Sequence, residues 1–101
     1  MDFSSLEIEA SRYEQQLRKH RRALHRIPEL GYEEIKTHEY LMRHLEKLAP
    51  DDLRVFAQTG IRAVFRGDGT GRVIAFRSDI DALPIQEATG CTFASEHSGR
   101  M

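Results

Sequence analysis

Two aspartates one residue apart, Asp79 and Asp81, are the residues of this chain best suited to chemistry. In an extended segment their side chains share one face about 6.6–7 Å apart, close enough to act on one cation or one reaction centre. Carboxylates so placed repel each other, and a metal, the nearby Arg77 or protonation would relieve the repulsion. Asp-rich loops also cap turns after strands, so spacing alone leaves both interpretations open.

The segment before the aspartates predicts a strand. Residues 73–76 form an uninterrupted apolar run, typical of a strand buried on both faces, and Pro84 closes the stretch that follows. Ligand sites in open α/β sheets lie beyond the carboxyl ends of central strands, where the flanking helices leave a crevice. We therefore expect the site at the end of this strand.

The first half of the chain predicts two helices. Ser4 and Glu7 fit a capping box that opens one long helix, and Pro28 ends it by disfavouring helical geometry at Ile27. The basic residues of this helix are interpreted as a solvated face. A second helix begins near Glu33 and ends before residues 50–52. Its predicted apolar face consists of Ile35, Leu41, Met42, Leu45 and Leu48.

Strands follow the helices. Residues 53–58 and 61–66 alternate in character, with a tight reversal at Thr59 and Gly60. Residues 67–71 turn the chain into the apolar strand, and they lack the lysine and the helix of a phosphate-binding loop. The sequence thus predicts an α/β fold, with two helices followed by a three-strand meander of a mixed sheet.

The histidines do not show zinc-site spacing. His20, His38 and His44 are predicted to be exposed helix residues. His25 stands where the first helix meets the following connector, so capping, pairing with Glu29 and lining a cleft all remain open.

Cys91 is the single cysteine, which excludes an internal disulfide and agrees with a reducing compartment. A nucleophilic cysteine needs a base or a helix N-terminus beside it, and the local sequence supplies neither convincingly, so a packed or free thiol is expected.

The length and the charge balance of the chain limit its number of domains and its classes of binding partner. The 101 residues suit one small domain, and 15 Lys plus Arg against 16 Asp plus Glu give no field that favours nucleic acid or a membrane surface. The chain has no apolar run of the ~20 residues that a membrane span needs. A cytoplasmic protein without nucleic-acid or membrane partners is expected.

Four stretches together resemble the N-terminal part of the hippurate hydrolase and aminoacylase-like amidohydrolases, which belong to the di-metal aminopeptidase-like and carboxypeptidase-like hydrolases. Order and spacing match from residue 24 to residue 101. The stretches are LHRIPELGYEE at 24–34, TGI at 59–61, RSDIDALPI at 77–85 and AS at 94–95.

This resemblance implies a zinc-exopeptidase-like catalytic domain and hydrolysis of the amide bond of N-acyl amino acids or related conjugates. Two divalent ions (zinc, manganese, cobalt or nickel) would share a bridging water, and a glutamate would act as the general base. Family members carry a lid domain that often mediates dimerisation, so a homodimer is one expectation for the parent protein.

The resemblance also assigns roles to residues. Asp79 matches the catalytic-site aspartate that orients a metal-binding residue, with Arg77 and Asp81 in support. Arg77 stands where the wider group has a histidine, and Ile27 where relatives commonly carry a second histidine. The family's ligand motif, His-Ala-Cys-Gly-His-Asp, would follow Met101, so no metal ligand and no bound metal are expected in this chain. Cys91 falls at a variable position and does not match the ligand cysteine.

Residues 1–101 are therefore interpreted as a truncated N-terminal part of a catalytic domain, inactive on its own. The alternative is a small non-catalytic interaction module that uses the helix pair or an exposed sheet edge. Nucleic-acid binding through the first helix is disfavoured by the net charge of −1.

Overall fold

The computed structural model describes residues 3–101, so Met1 and Asp2 of the predicted domain lie outside the described residues. The α/β class is confirmed, with helices first and a two-stranded antiparallel sheet after them. Residues 65–101 contain no helix or strand. The elements, in chain order, are α1 (Ser4–Ser11), α2 (Glu14–Arg26), α3 (Ile35–Lys47), β1 (Asp52–Phe56) and β2 (Gly60–Val64).

The prediction of one long first helix is wrong, because the helix breaks at Arg12 and Tyr13. The N–H of Arg12 bonds to the Glu9 carbonyl and that of Tyr13 to the Ala10 carbonyl, which is the tighter i to i−3 pattern of a helix end. No residue of α1 is buried, so no packing holds α1 in line with α2.

The capping box also differs from the prediction. Phe3, rather than Ser4, is the N-cap of α1, and its carbonyl accepts the Glu7 N–H at 3.0 Å. At the other end the prediction holds, because α2 stops at Arg26 and Ile27 has left helical geometry with φ −120° before Pro28.

A distant carboxylate caps α3. Glu29 accepts the backbone N–H groups of Lys36 at 3.1 Å and Thr37 at 2.6 Å, so it satisfies two free donors of the first turn. The predicted apolar face is only partly covered: Leu41, Met42 and Leu45 are half-buried. Ile35 and Leu48, at its two ends, are 58% and 65% exposed.

The hairpin reverses at residues 57–59 rather than at Thr59 and Gly60. Ala57 and Gln58 adopt left-handed geometry with φ of 49° and 70°, and Phe56 pairs with Gly60. A Cβ at Gly60 would lie 2.8 Å from the Phe56 carbonyl oxygen, so the close approach of the strands requires glycine there.

The third strand of the predicted meander is not formed, and its burial prediction is wrong. Val73 and Phe76 are 97% and 96% exposed, and no residue among 3–101 pairs with this segment in a ladder. A strand requires a backbone partner and covered faces, and this segment has neither in the described structure.

Among the described residues, the buried positions hold Pro28 and three polar side chains. Among residues 3–101 no hydrophobic side chain is fully buried, whereas Glu34, Thr37 and Thr59 are at most 6% exposed. The Thr59 hydroxyl donates to Glu34 at 2.6 Å, and His38 Nδ1 donates to the Thr59 carbonyl at 2.8 Å. These bonds fix the hairpin turn to the start of α3. The radius of gyration, 16.1 Å, exceeds the ~13 Å of a compact chain of this length.

Within the described part of the chain, every helix is too short or too polar to traverse a lipid bilayer.

Candidate functional site

The two aspartates lie on an irregular segment and have different surroundings. Asp79 forms an ion pair with Arg77, with 2.8 Å between Oδ1 and Nη2, and both side chains are largely exposed. Asp81 faces the connector between α2 and α3, where its Oδ2 lies 4.0 Å from the Cβ position of Gly31. Arg77 thus neutralises Asp79, which is one of the three ways of relieving carboxylate repulsion that the sequence left open.

The aspartates line one groove together with residues of α2, α3 and β2. Its walls include His25, Pro28 and Thr37. The segment is fixed to the connector by the N–H of Ala82, which donates to the Glu29 carbonyl at 2.7 Å. Glu29 therefore holds both the aspartate segment, through its backbone, and the start of α3, through its side chain.

Met101 returns to this groove. Leu83 and Met101 exchange two backbone hydrogen bonds of 2.8 and 3.0 Å, the pattern of a hydrogen-bonded antiparallel pair. Met101 also lines the groove beside Asp79 and Asp81. Residues far apart in the sequence thus meet at the aspartates.

A second group of reactive side chains lies at the C-terminal end of α2. His25 Nε2 is 2.6 Å from Glu87 Oε1, and Cys91 Sγ is 3.5 Å from Glu87 Oε2. The Glu87 side chain is 4% exposed and that of His25 29%. We call His25, Glu87 and Cys91 the His–Glu–Cys cluster.

The Glu87 carboxylate is the centre of this cluster. Its pKa is lowered to about 2, first by the hydrogen bond from the Thr89 hydroxyl and then by the Ser95 N–H at 3.0 Å, against the opposing effect of burial. His25 and Cys91 lower it further. Glu87 is therefore ionised at neutral pH.

Aromatic contacts hold the same region against α2. The Phe93 ring meets the His25 ring edge to face, with centroids 5.7 Å apart, and the Arg22 guanidinium lies 4.5 Å from the Phe93 centroid. The Glu96 N–H donates to the Arg26 carbonyl at 3.0 Å.

Sequence reasoning singled out His25 but missed its partner. Of the open alternatives, pairing with Glu29 is wrong, because Glu29 caps α3, while His25 lines the groove and pairs with Glu87. No local signal identifies Glu87, which follows His25 by 62 positions in a stretch without periodicity.

The prediction that three helix histidines are exposed is wrong, since all three are half-buried. His20 Nδ1 lies 2.8 Å from the Tyr40 hydroxyl, and the His20 and His44 rings meet with centroids 4.5 Å apart. Desolvation and the charge of His20 lower the pKa of His44. These rings form contacts between α2 and α3.

Comparison with known proteins identifies relatives of this chain. It is 49% identical over 82 residues to N-acetyldiaminopimelate deacetylase of Listeria monocytogenes serotype 4a (strain HCC23), 48% to that of Bacillus subtilis (strain 168) and 45% to that of Geobacillus sp. (strain WCH70). Each match covers 80% of this chain and 22% of the relative, so the chain spans about a fifth of their length.

No family model matches the chain, and no solved structure does. The identities of 45–49% nevertheless confirm the resemblance to amide-bond hydrolases that the motifs predict. Over these 82 residues the chain is therefore similar to amidohydrolases of the N-acetyldiaminopimelate deacetylase type.

Proposed function

We propose that the protein to which this chain belongs hydrolyses the amide bond of N-acyl amino acids or related conjugates, using two divalent metal ions. The relatives support the reaction class, because the deacetylation in their name is the hydrolysis of an N-acetyl amide. A reducing, cytoplasmic compartment is part of the proposal and agrees with the single cysteine.

The groove of this chain does not provide a complete ligand set for two metals. Its possible donors are Asp79, Asp81 and His25, and the Arg77 guanidinium already pairs with Asp79 at 2.8 Å. The proposed ions would therefore take their ligands from the rest of the protein, and when bound they would activate a water molecule.

The chain's own part in the reaction is positioning. We assign to Asp79 the role of accepting a hydrogen bond from a metal-binding side chain and so fixing its orientation, as carboxylates beside metal ligands do. Arg77 holds the Asp79 carboxylate, and Asp81 borders the same groove.

The observation that carries this assignment is the backbone pair between Leu83 and Met101. It places Met101 at the end of the segment that carries the aspartates, and both line one groove. By family resemblance the ligand motif follows Met101, so this pair would deliver the ligands next to Asp79.

A chimera tests the proposal. This chain replaces the matching stretch of the Bacillus subtilis deacetylase, and acetate release from N-acetyldiaminopimelate is measured with zinc, manganese, cobalt or nickel. We expect hydrolysis by the chimera and none by the 101-residue chain alone. A folded chimera without hydrolysis, or hydrolysis by the isolated chain, would refute the proposal.

A second candidate is an interaction module, favoured by the exposed apolar side chains of Val73, Ile74 and Phe76. Sedimentation of the isolated chain distinguishes the hydrolase from the interaction module, because such a module would form a defined complex between chains through residues 73–76. Replacing Phe76 by Ser would then abolish the complex, whereas Phe3→Ser, at another exposed aromatic residue, would not.

A further inference from the structure

The His–Glu–Cys cluster brings together three kinds of metal donor. One ligand atom from each of His25, Glu87 and Cys91 lies within 4.8 Å of the other two. Imidazole nitrogen, carboxylate oxygen and thiolate sulfur are the three donors that zinc uses in proteins, and catalytic or exchangeable zinc sites commonly have three protein ligands and one open position.

The separations suit a single small ion after a modest movement. Two donors on a tetrahedral zinc lie about 3.3–3.7 Å apart, given zinc–ligand bonds of about 2.0–2.3 Å. The distance from Cys91 Sγ to Glu87 Oε2 is already 3.5 Å. His25 Nε2 lies 2.6 Å from the other carboxylate oxygen, Oε1, so this pair must open by about 1 Å and the carboxylate must turn to present one or both oxygens to the ion.

The surroundings hold the carboxylate in place. The Thr89 hydroxyl donates to one oxygen of Glu87 and the Ser95 N–H donates to the other at 3.0 Å. Carboxylate ligands in metal sites are characteristically fixed by such outer hydrogen bonds.

We propose that the His–Glu–Cys cluster binds one zinc-type divalent transition-metal ion through His25 Nε2, a Glu87 oxygen and the Cys91 thiolate, with water in the fourth position. Binding moves the imidazole proton from Nε2 to Nδ1 and releases the thiol proton to solvent, so the thiolate and the carboxylate balance the charge of the ion. The three ligands all lie outside the His-Ala-Cys-Gly-His-Asp ligand motif, and His25 also lines the groove that holds Asp79 and Asp81.

Cobalt(II) and zinc titrations of the 101-residue chain test this proposal. We expect one equivalent of cobalt to bind and produce a thiolate-to-cobalt charge-transfer absorption, which zinc then displaces. Cys91→Ser should remove the absorption. His25→Ala should weaken cobalt binding by about 100-fold or more, which exceeds the loss expected when a residue that only hydrogen-bonds to a ligand is replaced. His97→Ala, in the same C-terminal segment, should leave binding unchanged.

Thr89→Val should cause an intermediate loss of metal affinity, because it removes a hydrogen bond to Glu87 without removing a ligand. We expect it to weaken cobalt binding by about tenfold. A measurement on the unaltered chain does not depend on whether the variants fold. One equivalent of zinc should slow the alkylation of Cys91 by iodoacetamide, and unfolding the chain in urea should abolish that protection.

Any of three results would overturn the inference. They are the absence of a one-to-one complex, a complex whose spectrum survives Cys91→Ser, and alkylation of Cys91 at the same rate with and without zinc.

Discussion

The two halves of this molecule are held together in different ways. Residues 4–64 contain every helix and strand of the described chain, and repeated backbone hydrogen bonds support them. Residues 65–101 contain none, yet they carry Asp79, Asp81 and most of the His–Glu–Cys cluster. The chemistry thus lies in the half that lacks regular structure.

The irregular half is fixed at a few separate points rather than along its length. Backbone bonds join Ala82 to Glu29 and Leu83 to Met101, and side chains join Glu87 to His25. These points are separated along the chain, so we expect the loss of one to release a limited segment, whereas damage to the hairpin should spread through the paired strands. Single substitutions and a change of pH distinguish these two kinds of support.

Gly60→Ala should be the most damaging change in the regular half. The added methyl group would lie 2.8 Å from the Phe56 carbonyl oxygen, so the two strands must separate at their closest point. We expect a loss of about 1–3 kcal/mol in the free energy of unfolding, measured by urea denaturation. Gly69→Ala is the matched control, because nothing lies within 4 Å of its Cβ position. Equal stability of the two variants would show that the hairpin tolerates the separation.

Glu87→Gln should release the end of the irregular half. The amide keeps the size of the side chain, but it is uncharged and replaces one of the two oxygens that accept from His25, Thr89 and Ser95 by an NH2 donor. We expect hydrogen exchange at the Ser95 amide to accelerate by about tenfold, with β1 and β2 unaffected. Glu96→Gln, an exposed change in the same segment, should alter neither. Acceleration throughout the chain would contradict separate anchoring.

Acid should have the same effect as Glu87→Gln. Because the pKa of Glu87 is lowered from 4.5 to about 2, this carboxylate stabilises the folded chain fully above pH 4.5. The stabilisation is lost as the pH falls from 4.5 towards 2, when the folded carboxylate takes up its proton. Exchange at Ser95 and the NMR signals of Phe93 should change over this range in the unaltered chain. The same pH dependence in Glu87→Gln would assign the change to other groups.

Glu29→Gln should weaken the junction of the two halves. Burial raises the pKa of Glu29, but the backbone and side-chain hydrogen bonds of Thr37 and the N–H of Lys36 lower it overall, so the ionised form is the stabilising one. Loss of a helix cap costs about 1 kcal/mol, which urea denaturation resolves. Glu33→Gln, an exposed carboxylate nearby, is the control. A similar loss in both variants would rule out specific capping by Glu29.

Arg77→Ala should have the smallest effect on stability. The ion pair with Asp79 is exposed, with side-chain exposures of 87% and 68%, and such pairs contribute no more than about 1 kcal/mol. Arg72→Ala, in the same stretch, should change the free energy of unfolding in urea by a similarly small amount. A clearly larger loss for Arg77 would make this pair another anchor of the irregular half.

Local signals predicted the regular half well and the irregular half poorly. Pro28 correctly marked the end of α2, and alternating residues gave both strands of the hairpin to within a few positions. The break at Arg12 and Tyr13 was missed because helical spacing does not reveal whether a face has anything to pack against.

The contact between Asp79 and Arg77 could be predicted from the local sequence, whereas the site roles of these residues stay a prediction. Asp79 and Arg77 were identified from their spacing and from the family motif, and they do form a pair. Glu87 was missed, because its role arises from a contact with His25 that no short window contains. The apolar run at 73–76 predicted a buried strand, but burial depends on partners that periodicity cannot supply.

The most direct measurement is the activity of Asp79→Asn in the chimera with the Bacillus subtilis deacetylase, beside Asp68→Asn as the matched control. If Asp79 orients a metal ligand, its variant should remain folded and lose about 10–100-fold in activity or metal affinity, while Asp68→Asn matches the unaltered chimera. Equal activity and equal metal content in all three proteins would contradict the role assigned to Asp79.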